Sequence, residues 1–130
     1  VIVVDASALL EVLLRTRAAA AVEALLFAPG ETLHAPHLID VELAQVLRRY
    51  AAAGAIDDTR GLVALDDLAD FPIRRHPHDL LLPRVWALRH NLTAYDATYV
   101  ALAQALDATL LTRDARLAGV VRLGARVVVV

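Results

Sequence analysis

A three-layer α/β/α sandwich around a central, mainly parallel sheet is the fold predicted for this chain. Two observations lead there. Short aliphatic runs, VIVV at the start, TLL near residue 110 and VVVV at the end, alternate with longer stretches of helical character. That alternation is the signature of strands covered on both faces by crossover helices. The hydrophobic share is 58% over 130 residues, which suits a single domain spanning 1–130 with a sizeable core. No repeat, linker or low-complexity segment interrupts it.

Each element follows from its residues. VIVVD forms a first strand, and SALLEVLL a short helix that Ser7 is placed to cap. AAAAVEALLF has high helix propensity and stops near Pro29-Gly30. ETLHAP holds a short strand around Leu33. HLIDVELAQVLRRYAAAG predicts a longer helix with an apolar stripe at Leu43, Val46, Leu47 and Tyr50, Asp40 as its cap and Gly54 as its stop. DDTRGLVALDDLADF is another helix, with tandem acids favoured at its N-terminus. FPIRRHPH is a short extended piece between prolines. DLLLPRVWALRHN turns helical from about Pro83, and TAYDATYVALAQAL is a clear helix. ATLLT is a strand, RDARLA one turn or two, and RVVVV the final strand.

Composition excludes several chemistries. Charges break every apolar stretch before the ~18 residues that a membrane-spanning helix needs. The first residues lack the basic flank of a secretory signal, so a cytoplasmic protein is expected. Zero Cys removes disulfides, thiolate metal sites and cysteine nucleophiles. All 13 basic residues are Arg. Receiver-type phosphoacceptors, haloacid-dehalogenase-type phosphatases and P-loop NTPases all use a lysine, and none of them fits. A net charge of −2 does not announce nucleic-acid binding.

Four acids stand where acids are costly. Asp5 and Asp114 each follow a strand, at the carboxyl edge where parallel sheets gather ligands. Each is also placed to cap the helix after it. At 100° per residue Asp96 shares a face with Leu92, Tyr99, Val100 and Ala103, so it points inward near its helix start. With Thr93 it makes an imperfect capping box. Glu42 lies in the first turns of its helix at the edge of the stripe, where the helix dipole also favours an acid. The remaining acids, Asp57, Asp58, Asp66, Asp67, Asp70, Asp79 and Asp107, read as solvated surface. Four gathered carboxylates would repel, and neither a Lys nor a well-placed Arg balances them. Hard divalent ions such as Mg²⁺ and Mn²⁺ would, and they support in-line phosphoryl displacement.

Other residues carry weaker signals. His34, His37, His76 and His78 form H-x-x-H and H-P-H pairs, but Pro36 breaks the first spacing and no further ligand pair accompanies it, so zinc is not expected. His76 and His78 belong to a proline-bounded loop and are expected at the surface, and Trp86, within VWAL, in the core.

In order along the chain, VVDASALLEVLL, HAPHLIDVELAQVLRR, TAYDATYVALAQAL and ATLLTRDARLA resemble the PIN-domain ribonucleases, and among them the VapC-type toxins of bacterial toxin–antitoxin pairs. The resemblance implies a PIN-like fold and a catalytic quartet, Asp5, Glu42, Asp96 and Asp114, that binds Mg²⁺ or Mn²⁺. It makes Ser7 and Thr112 supporting hydroxyls, and Arg15, Arg17, Arg89 and Arg113 the candidate contacts to RNA phosphates. The implied activity is endoribonuclease cleavage of RNA by the toxin of a type II pair, inhibiting translation or growth. A homodimer and a VapB-like antitoxin, whose C-terminal segment blocks the acidic cleft, are the implied partners. Two alternatives stand beside it: an RNA-processing nuclease outside any toxin system, and a non-catalytic RNA- or protein-binding module. The small size leans toward the toxin, and the full set of acids leans away from a degenerate site.

Overall fold

The aliphatic run that opens the chain becomes the buried middle strand of the computed structural model, which describes residues 1–130, the side chains of 121–123 aside. Strand β1 (Ile2–Val4) is flanked by β2 (Leu33–Pro36) and β4 (Thr109–Thr112), with β3 (Ile73–His76) outside β2 and β5 (Arg126–Val129) outside β4. Among the described residues these five strands form one sheet in the order β3-β2-β1-β4-β5, and every pairing is parallel. Val3 stands opposite His34 on one side and Leu110 on the other.

The connections account for the layers. Helices α1 (Ala6–Leu13) and α2 (Ala19–Leu26) join β1 to β2, while α3 (Leu38–Ala52) and α4 (Asp58–Asp70) join β2 to β3. Helices α5 (Leu82–Ala87) and α6 (Ala94–Ala105) carry the chain back across the sheet to β4. Right-handed crossovers running in opposite directions put these two sets on opposite faces. Accordingly α1 packs against α2, α3 and α4, while α6 lies across β1, β2 and β4 with α5 against it. Val3, Val4, Leu9, Ile39, Leu43, Val100, Leu110 and Leu111 fill the two interlayer spaces. No helix among the described residues is long and apolar enough to cross a membrane.

Several expectations about single residues need correction. The cap of α1 is Asp5, not Ser7, because Asp5 has the extended backbone of a cap and accepts from the Ala8 N–H. Asp40 does not cap α3. It sits inside the first turn and accepts from Arg75 Nε at 2.8 Å and Nη2 at 2.9 Å. Arg75 also donates to the Leu68 carbonyl, so one guanidinium on β3 ties α3 to α4. Gly54 ends α3 as expected, at φ +76 in the left-handed region.

Trp86 is 68% exposed, not core. Helix α5 is only six residues long and, with the residue after it, buries Val85 and Leu88, which turns position 86 outward. The Arg89 guanidinium stacks 4.5 Å above the Trp86 ring. His76 is also misplaced by its proline context. It belongs to β3, half-buried, with Nε2 2.9 Å from His34 Nδ1, and His34 Nε2 lies 3.0 Å from Thr32 Oγ1. His78 Nε2 accepts from the Leu38 N–H at 2.9 Å.

Burial holds His34 and His76 below the usual imidazole range, with the neighbouring His76 and Arg74 adding to the effect on His34, and Arg74 and His37 to that on His76. A lowered pKa means that the folded chain binds fewer protons than the unfolded one below about pH 6.5, so this pair loses stability as the pH falls through that value. His76→Gln is therefore expected to flatten the fall in urea midpoint between pH 7 and pH 5. An unchanged pH slope would show the pair to be irrelevant to acid stability.

Candidate active site

The strand order reverses direction at β1. From β1 the chain leaves toward α1 on one face, whereas from β4 it continues into the 3₁₀ segment Ala115–Leu123. Diverging connections open a crevice beyond the carboxyl ends of these two neighbours, the usual ligand position in an open parallel sheet. Asp5 and Asp114 both lie at this edge, one residue after β1 and two after β4.

Asp5 is 7% exposed and held by both carboxylate oxygens. Ser7 Oγ donates to Oδ1 at 2.6 Å, the Ala8 N–H donates to Oδ1 at 3.1 Å, and Thr112 Oγ1 donates to Oδ2. The two hydroxyls are themselves fixed, since Ser7 Oγ accepts from the Arg113 N–H at 2.9 Å and Thr112 Oγ1 from the Asp114 N–H at 3.0 Å. One hydrogen-bonded network thus joins the ends of β1 and β4. Burial pushes the Asp5 carboxyl up, its three donors oppose this, and the charge of Asp96 adds to it.

The two helix-borne acids come from opposite faces. Asp96 lies in the first turn of α6, where Thr93 Oγ1 accepts from the Asp96 N–H at 3.2 Å and caps the helix. Burial raises the Asp96 pKa and so does the nearby Asp114. Glu42, on α3, is raised by burial and then by Asp5 and Asp96, against a lowering influence from the Tyr99 hydroxyl. Yet Glu42 Oε1 and Tyr99 OH are both buried without a hydrogen-bond partner of good geometry. Asp96 is thus the common neighbour, its charge felt by Asp5 and Glu42 and itself raised by Asp114, and one buried Glu42 oxygen lacks a partner.

Asp114 differs from the rest. Arg116 holds its carboxylate below the usual range. This arginine escaped the reading of the sequence, although an Arg two residues after a strand-end acid was a visible signal. Tyr99 was assigned only to the apolar face of α6; its burial beside Glu42 pushes its hydroxyl far above the usual range.

The expected arginines divide. Helix α1 rises about 12 Å over its eight residues from the end next to Asp5, and Arg15 lies past its far end, in a hollow with Glu23, Phe27 and Asp67. Arg15 and its neighbour Arg17 are therefore at the opposite end of α1 from the acids. The Arg113 side chain is committed to Glu11, 3.7 Å away, and to the Val130 carbonyl. Arg89 is exposed on Trp86.

The donor set is all oxygen, suited to a hard divalent cation. Three carboxylates driven toward protonation and an unpartnered Glu42 oxygen are what such an ion would relieve. Among the described residues no three acids or histidines are drawn together tightly enough to ligate one ion as they stand. Next to Glu42 a groove of about 390 Å³ runs between α3 and the start of α6, lined by Ala6, Leu38, Val41, Val46 and Tyr95 among others.

Comparison with known proteins gives a consistent picture. The sequence profile of the PIN domain matches residues 2–123. VapC ribonuclease Mb0985 of Mycobacterium bovis is 45% identical over 116 residues, covering 89% of this chain and 87% of that protein. Ribonuclease VapC1 of Mycobacterium tuberculosis is 44% identical over 117 residues, again 89% and 87%. Among solved structures, PAE2754 from Pyrobaculum aerophilum superposes with a TM-score of 0.69 at 28% identity, over 97% of this chain and 82% of that one. VapC20 of M. tuberculosis, described as a sarcin-ricin loop cleaving toxin, superposes at 0.70 over 92% and 94%, and its 15% identity speaks to the fold alone.

Proposed function

The chain belongs to the PIN-domain family, and on that footing we propose that residues 1–130 form one nuclease domain, a metal-dependent endoribonuclease that serves as the toxin of a type II toxin–antitoxin pair. The observation that carries this reading is the hydrogen-bonded network that joins Asp5 and the Asp114 backbone at the ends of β1 and β4, with Glu42 and Asp96 brought from two helices close enough for their charges to act on it. Asp5, Glu42, Asp96 and Asp114 would hold Mg²⁺ or Mn²⁺. When bound, such an ion supplies a water of lowered pKa and positive charge for in-line displacement at a phosphodiester.

The protein's own part is positional. Ser7 and Thr112 hold the Asp5 carboxylate in one orientation, and Thr93 fixes the helix start that carries Asp96. Tyr99, 2% exposed, places its buried hydroxyl beside Glu42. At the surface, Arg89 stacked on Trp86 offers RNA a cation and an aromatic face together, the combination that suits a phosphate and an unstacked base.

The partners follow from the same surface. The groove beside Glu42, with Val41 and Tyr95 exposed at its rim, suits an apolar segment of a VapB-like antitoxin that covers the cleft. Exposed Leu80 and Leu82 supply apolar surface for a homodimer contact. The cytoplasm, where RNA and antitoxin are made, is the compartment this reading requires.

Purified protein is expected to cut structured RNA in Mg²⁺ or Mn²⁺, to stop in excess EDTA and to resume when Mn²⁺ is returned. Cleavage that persists in EDTA, or none with either ion, overturns the reading. Growth arrest on induction, relieved by a short DNA-binding protein encoded next door, separates a toxin from an RNA-processing nuclease.

A further inference from the structure

Asp114 is the acid of the quartet that already faces a cation. Arg116 Nε lies 3.0 Å from Oδ1 and 3.1 Å from Oδ2, Nη2 lies 2.6 Å from Oδ2, and the Arg116 N–H donates to Oδ1 at 3.0 Å. The Arg116 side chain is nevertheless 82% exposed, and its charge also reaches Asp96. An exposed pair two residues apart adds little to fold stability. Its placement matters more: a guanidinium fork sits at the lip of the acid cluster, over the carboxylate that a divalent ion would need.

We infer that Arg116 is a phosphate-binding residue held in reserve, paired with Asp114 until a divalent ion takes that carboxylate and then turned to a phosphate of the RNA. This rests on the nuclease reading above. Asp114 cannot give the same lone pairs to both partners, and a hard dication competes strongly for carboxylate oxygen. The displaced guanidinium keeps its planar fork, and a phosphodiester presents two oxygens that match it as a carboxylate does. A long exposed stem lets it make the exchange without moving the backbone. One anion thus replaces another at the same arginine, and metal entry and RNA binding become linked steps.

The test uses the whole chain as wild type, Arg116→Ala and Arg116→Lys, each checked for an unchanged melting temperature. Calorimetric titration with Mn²⁺ in the absence of RNA is expected to show Arg116→Ala binding the ion about two- to five-fold more tightly, since the competitor is gone. In Mn²⁺-saturated cleavage of a fluorogenic RNA the same variant should raise KM about tenfold with kcat little changed. Arg116→Lys should recover part of the KM, keeping the charge without the fork. A merely structural arginine would not tighten one ligand while loosening the other. Equal or weaker Mn²⁺ binding, or an unaltered KM, overturns the proposal and leaves the nuclease reading standing if the wild type still cuts RNA. A wild type that binds neither Mn²⁺ nor Mg²⁺ and cuts no RNA with either overturns both.

Discussion

Asp96→Asn is expected to lower Mn²⁺-dependent RNA cleavage by more than about a hundredfold while leaving the melting temperature unchanged or higher. Outer partners of metal ligands already cost about 10- to 100-fold when removed, and a ligand itself should exceed that. The stability half rests on the carboxylate's surroundings. Burial and the charge of Asp114 penalise an ionised Asp96 more than Arg116 and the Thr93 hydroxyl favour it, and the Asp96 N–H that the Thr93 side chain caps is kept by asparagine. Removing the charge therefore relieves repulsion and breaks no cap. Asp5→Asn should be equally inactive but less stable, because three donors converge on the Asp5 oxygens and an amide offers one oxygen in place of two. Cleavage by Asp96→Asn at near wild-type rates would remove Asp96 from the catalytic set. A large drop in its melting temperature would make its role in the fold primary.

That contrast between two acids was not legible in the sequence, though their unusual placement was. An acid straight after a buried aliphatic run can be seen locally, and so can one on the apolar stripe of α6, because both patterns depend only on neighbours along the chain. The alternation of strands and helices yielded the layers for the same reason. The failures share the opposite character. His34 and His76 meet only because β2 and β3 pair side by side, 42 residues apart. Asp40 looked like a helix cap until a guanidinium from β3 supplied a stronger partner. Trp86 looked like core because its neighbours are apolar, but a six-residue helix has one buried face to give and Val85 and Leu88 take it. Arg15 and Arg17 were assigned to RNA without counting the length of helix that separates them from Asp5. Arg116 is the exception, a local partner of Asp114 that the spacing D-x-R already displayed.

Thr112→Val is the sharpest test of the network that joins the two strand ends. Thr112 is fully buried, and its hydroxyl donates to Asp5 Oδ2 and accepts from the Asp114 N–H. Valine keeps the shape and the β-branching that suits β4, so packing is preserved and only the hydroxyl is lost. That leaves a buried carboxylate oxygen short of one donor and a backbone N–H short of its acceptor. Such a loss costs about 1–3 kcal/mol and should lower the melting temperature by roughly 5 to 10 °C. It also raises the Asp5 pKa further, because one of the donors that oppose burial is gone. Two of the acids proposed as catalytic are thereby loosened at once, and cleavage should fall about 10- to 100-fold. Thr112→Ser separates hydroxyl from methyl: it restores both hydrogen bonds and should regain most of the activity while remaining somewhat less stable than wild type. Ser7→Ala removes the companion hydroxyl from a less buried position, where water can replace it, and its stability cost should be smaller. If Thr112→Val melts and cleaves like the wild type, the strand-end hydroxyl is a bystander and Asp5 is oriented by its helix alone.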